Sequence, residues 1–84
     1  MLLSTYEIAR ICQEQNAAYC RAIGRPDLAD PWNELDASDR LACEAIVNAV
    51  LENKQLKVVT FNNNVEKIMY ELTVAMILVL QDVN

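Results

Sequence analysis

Four arginines and one asparagine are the residues of this chain best equipped to grip a ligand. Arg10, Arg21 and Arg25 lie on or just after the segment I-A-R-I-C-Q-E-Q-N-A-A-Y-C-R-A-I-G (8–24), and Arg40 follows downstream. A guanidinium is a planar fork of donors that fits a carboxylate or phosphate bidentately. Tyr6, Tyr19, Trp32 or Phe61 could stack a base or sugar beside it. Asn16 sits in the middle of an apolar stripe made by Ile8, Cys12, Tyr19 and Ile23. An amide buried there without partners costs about 1–3 kcal/mol, so it either organises the fold or touches a ligand. The expected ligand set is Asn16, Tyr19, Trp32, Arg10, Arg21, Arg25 and Arg40, around a small anion held where the first helix, the Trp32 segment and the second helix meet. The plainer reading pairs the arginines with Glu14, Asp27 or Glu44. It makes Trp32 a plug between two helices, its N–H bonded to Asn16 or a helix carbonyl.

Catalysis is not expected. The chain has no His, which removes the commonest general base and metal ligand. Cys12, Cys20 and Cys43 fall inside helical segments, away from a first turn that would lower a thiol pKa, and read as core filler. A single Gly rules out a glycine-rich phosphate loop, and neither C-x-x-C nor H-E-x-x-H occurs. Asp27, Asp30, Glu34, Asp36 and Asp39 lack calcium-loop spacing and read as a solvated acidic rim, or as a docking patch for a basic partner. Neither a metal nor a cofactor is expected.

The elements that position these residues are three helices. Ser4 and Glu7 form an S-x-x-E capping box, so helix 1 runs from about 4 to 23, ended by Gly24 and Pro26. A connector with both prolines and the only Trp spans 24–35. Asp36 caps helix 2, about 37–53, whose core face is expected to carry Leu41, Ala42, Ala45, Ile46, Ala49 and Val50. Residues 54–63 form a second connector; K-V-V-T-F (57–61) has strand composition without a visible partner, leaving an intermolecular strand as the outside alternative. One of Asn62 to Asn64 caps helix 3, about 64–81, with Glu66 in its first turn. The run V-A-M-I-L-V-L (74–80) is apolar all round, which points to homo-oligomerisation through helix 3; the alternative is a central helix in a compact monomer.

With 84 residues the chain makes one all-α domain, small and three-helical. Twelve acidic against seven basic residues give a net charge of −5, which disfavours nucleic acid and anionic membranes. An odd number of cysteines, two of them eight residues apart on one helix, suggests reduced thiols and a cytoplasmic protein. The start M-L-L-S-T-Y-E does not read as a signal peptide, and the longest apolar run is far short of a membrane span.

Residues 8–53 resemble a short helical module common in phage and prophage proteins, which in some of them precedes a ryanodine-receptor-type (RYR) domain. The pattern is I-A-x-x-C-H-E-x-N-R-A-Y-C-x-A-x-G, then P-W, then a helix carrying an Arg. Ile8, Ala9, Cys12, Glu14, Asn16, Ala18, Tyr19, Cys20, Ala22, Gly24, Pro31, Trp32 and Arg40 match it; Gln13 stands for the His and Ala17 for the Arg. The resemblance implies a phage-linked context and no defined activity. By analogy with small acidic phage proteins, the leading expectation is a non-enzymatic accessory protein that sequesters an anionic nucleotide signal of host antiviral defence. The alternative is a protein–protein interaction module that inhibits a host protein through its acidic connector or the apolar surface of helix 3.

Overall fold

A computed structural model describes residues 3–52 and 61–83. They form three helices, α1 (Thr5–Ala22), α2 (Ala37–Leu51) and α3 (Asn64–Val83), and no strand occurs among them. The domain is all-α. Most of the expected 54–63 connector lies outside the described residues, as do position 53 at the end of helix 2 and all but Phe61 of the strand-like run.

Local sequence accounts for the helix ends. The Ser4 hydroxyl accepts the Glu7 N–H at 3.1 Å while the Glu7 carboxylate accepts the Ser4 N–H, completing the capping box. At the other end of α1, Gly24 takes φ +79 and Arg25 N donates to Cys20 O at 2.8 Å. The chain can therefore turn sharply where an L side chain would be strained. Asp36 accepts the Asp39 N–H at 2.9 Å to start α2. Of the three asparagines, Asn63 caps α3: its Oδ1 accepts the Glu66 N–H, and the Glu66 carboxylate returns to Asn62 N. Between α1 and α2 the connector makes two single 3₁₀ turns, Pro26–Leu28 and Trp32–Glu34.

α1 is the middle element, packed along both α2 and α3, which touch each other less. The core comprises Ile8, Ala9 and Cys12 of α1, Trp32, Val47 of α2 and Ile77 of α3. Two expected faces are displaced. On α1, Ala17 and Cys20 are fully buried while Tyr19 is half-buried and Ile23 is exposed. Small residues let α3 approach closely, and the bulky pair turns aside.

On α2 the first four residues of the expected core stripe face outward, while its last two, Ala49 and Val50, are half-buried. Leu41 is 65% exposed, and Ala42, Ala45 and Ile46 are exposed, whereas Val47 is buried and Cys43, Val50 and Leu51 pack against the core. Both flanks of this helix are apolar, so periodicity alone does not choose between them. Three residues of α2 tie the observed face inward: Arg40 donates to the Trp32 carbonyl, Cys43 donates its thiol to Gln13, and Asn48 accepts from the Thr5 hydroxyl. α3 also turns only one side inward, with Thr73 and Ile77 buried and Leu78 and Val79 more than half exposed. No described helix is long and apolar enough to cross a membrane.

Candidate functional site

Trp32 fills the space between α1 and α2, as its place in the connector predicts. It is 4% exposed and is held from every side. Its indole N–H donates to the Tyr6 hydroxyl at 3.1 Å, so the acceptor is neither Asn16 nor a helix carbonyl. The Tyr6 ring meets it edge-on, with centroids 5.3 Å apart and planes at 87°. Its backbone N–H donates to the Glu14 carboxylate at 3.0 Å. Arg40 gives two donors, Nε at 3.2 Å and Nη2 at 3.0 Å, to the Trp32 carbonyl, and stands 5.3 Å from the centre of the ring. Trp32 and Arg40 are thus brought together, but on each other, and with Glu14 and Tyr6 they lock the connector to two helices.

The remaining arginines do not converge on that point. Arg10 and Arg21 are exposed on α1. Arg25 forms a two-bond ion pair with Asp27, at 3.1 and 3.0 Å, in a pair that is more than half exposed. The guanidinium lowers the Asp27 pKa from its ordinary value, chiefly through these hydrogen bonds.

A cleft of about 480 Å³ opens between α1, the connector, Ile46 of α2 and the first half of α3. Among the predicted ligand residues only Asn16 lines it; Arg10, Tyr19, Arg21, Arg25, Trp32 and Arg40 are not among its described lining residues. Asn16 Nδ2 donates to Thr73 Oγ1 at 3.0 Å, and that hydroxyl donates to Met69 O at 2.9 Å. Because the Thr73 proton is committed to Met69, Asn16 can only donate to Thr73. Its own Oδ1 is left buried without a hydrogen-bond partner. Asn16 therefore both ties α1 to α3 and carries an unsatisfied acceptor.

Of the polar cleft residues, Gln13, Glu66, Tyr70 and Thr73 escaped the sequence reading as site residues, and Asp30 entered it only as part of the acidic rim; Phe61, named there as a ring that could stack, does line the cleft. One signal was present for Thr73, the polar residue immediately before the apolar run 74–80. Gln13, where the resembling module has His, donates to Asp30 O at 2.7 Å and accepts from the Cys43 thiol at 3.7 Å.

The three cysteines are free thiols. Burial, with Cys43 adding to it, pushes the Cys12 thiol up to about 11. Burial is also the main cause that raises Cys20, with Asp27 second, and Cys43, with Asp39 second. Each is thereby a poorer nucleophile at neutral pH. Among the described residues no group of three or more His, Cys, Asp or Glu is placed to hold a metal.

This geometry defines a small three-helix domain whose connector is clamped through Trp32 and whose mostly apolar cleft carries Asp30 and Glu66 among its described lining residues. No family model matches the chain, and neither does any curated protein or solved structure.

Proposed function

We propose that this chain is a non-enzymatic, phage-linked accessory protein of the host cytoplasm that acts by binding, and that its target is a host protein rather than a small anion. The phage setting rests on the resemblance of residues 8–53. The observation that carries the choice of target is the outward turn of the apolar stripe of α2, with Leu41, Ala42, Ala45 and Ile46 at the surface. Contiguous exposed apolar side chains mark interaction surfaces more often than accidents of packing. The acidic side chains Asp27, Asp30, Glu34, Asp36 and Asp39 are exposed on the neighbouring connector and first turn of α2, and suit a partner with a basic rim.

Sequestration of a nucleotide signal is the weaker of the two readings. Its phosphate would need several arginines at one place, and Arg40 is spent on the Trp32 carbonyl while Arg25 is spent on Asp27. Self-association through α3 belongs to the same proposal. On the exposed side of α3, Ala75 is followed at three and four residues by Leu78 and Val79 and preceded at seven by Ile68, an apolar patch of the kind a twofold pair would bury.

The test is affinity capture from host cells with the wild-type chain and with Leu41→Glu/Ile46→Glu, followed by reconstitution of the captured protein with purified components. The proposal expects one host protein that binds the wild type directly and is lost with the double variant at unchanged helicity. A host protein retained equally by both, or a nucleotide bound tightly and released by single Arg→Ala changes, would overturn it.

A further inference from the structure

We infer that the cleft beside Asn16 is a receptor for a small organic cation that carries N–H donors on a flat apolar body. The volume of about 480 Å³ lies within the range of small-molecule sites. Most of its wall is apolar, built by Leu28, Leu35, Ile46 and Met69, and two aromatic rings close one side. Phe61 and Tyr70 stand 5.6 Å apart with their planes at 52°. Such a surface takes an aromatic or aliphatic body and places a cation against ring faces.

The polar groups choose the charge. A smaller chamber of about 60 Å³ adjoins the cleft and shares Gln13, Asn16, Ile46 and Thr73 with it. Thr73 gives its proton to Met69 O, Asn16 gives one Nδ2 hydrogen to Thr73, and Gln13 gives one Nε2 hydrogen to Asp30 O. Among the acceptors there, Asn16 Oδ1 is buried and unpaired. Asp30 and Glu66 add carboxylates to the lining, and no Lys or Arg is among the described lining residues. An incoming N–H cation would relieve the orphaned carbonyl and meet two negative charges, whereas an anion would meet the same two charges with no described cationic side chain to offset them. The cleft shares Ile46 and Asp30 with the surface proposed for a protein partner, while Asn16, Glu66, Tyr70 and Thr73 belong to the cleft alone.

Benzamidinium is a suitable probe, with benzoate and benzamide as controls of the same shape and different charge. Titrations of the isotope-labelled full chain at low salt would be followed by NMR at the Asn16 side-chain amide and at Thr73 and Tyr70. A ligand of this size is expected to bind with a Kd of about 1 mM. Benzamidinium should give saturable shifts at all three residues, benzamide a weaker response, and benzoate none. Asp30→Asn, on the exposed rim and without a fold role, should weaken benzamidinium about two- to five-fold. Asn16→Leu should weaken it about ten-fold or more. Equal responses to all three probes would overturn the inference by reducing the cleft to an unselective apolar groove. The absence of any saturable benzamidinium shift at about 10 mM would overturn it as well, and would leave Asn16 Oδ1 to a buried water.

Discussion

Replacing Asn16 by leucine should stabilise this protein. The two side chains branch at the same carbon, so leucine places methyl groups where Oδ1 and Nδ2 now lie, and the adjacent chamber of about 60 Å³ accommodates their greater bulk. The substitution removes one hydrogen bond, from Nδ2 to Thr73 Oγ1 at 3.0 Å, a net loss of about 0.5–1.5 kcal/mol. Thr73 keeps its bond to Met69 O, so no donor is orphaned by the change. Against this, the buried unpaired Oδ1 disappears, a gain of about 1–3 kcal/mol. The balance favours the variant by about 1 kcal/mol, which raises Tm by about 4–8 °C in a domain of this size. Thermal and urea unfolding monitored by circular dichroism would measure it. A gain in stability coupled to a loss of benzamidinium binding would mark Asn16 as a residue kept for a ligand at the expense of the fold. A loss of more than about 1 kcal/mol would refute the reasoning, because it would mean that Oδ1 is satisfied in solution and that Asn16 is a structural tie.

Arg40→Ala leaves the half-buried Trp32 carbonyl without its two donors and should lower stability by about 1–3 kcal/mol in urea unfolding, and Arg40→Lys should recover less than half because an ammonium cannot reproduce the fork. The raised thiol pKa values predict that iodoacetamide modifies Cys12 and Cys20 only slowly at pH 7.5 in the folded protein and rapidly after unfolding, as mass spectrometry of the labelled chain would read. Because the folded pKa of Cys12 is raised to about 11 from an ordinary value of 9.0, its contribution to stability is fully present below pH 9 and is lost as pH rises towards 11; Cys12→Ala should flatten that part of the unfolding profile. At the acid end, the Asp39 N–H and the Ser38 hydroxyl hold the Asp36 pKa below its ordinary 3.8, so this stability is present above that pH and is lost as pH falls below it. Asp36→Asn keeps a capping acceptor, and its unfolding midpoint should vary less with pH in that window.

The helices were legible because their ends are written locally. Ser4 with Glu7, Gly24 before Pro26, Asp36, and an asparagine three residues ahead of Glu66 each act within one turn, so reading the neighbours was enough. Faces were less legible because they are set between helices. The spacing of Leu41, Ala42, Ala45 and Ile46 satisfies the helical period as well as that of Cys43, Val47 and Val50, and the choice between them goes with bonds to other elements, from Arg40 to Trp32, Cys43 to Gln13 and Thr5 to Asn48. Asn16 was recognisable as a polar residue inside an apolar stripe, and it does line the cleft. The cleft itself is assembled from residues as far apart in sequence as Gln13 and Thr73, so nothing local announced it. Several residues singled out in the sequence also acquire a physical meaning: Glu14, Trp32 and Arg40 clamp the connector, Gly24 turns the chain, and Cys12 and Cys20 pack beneath α3.

The most direct test of the central claim, that this domain works through its surfaces and not through an arginine-lined anion site, is native mass spectrometry on protein purified without denaturation. The account predicts a discrete oligomer with no nucleotide-sized adduct, reduced to monomer by Leu78→Glu/Val79→Glu with helicity retained. A monomer at all concentrations that carries a phosphate-bearing adduct, released on denaturation, would contradict it.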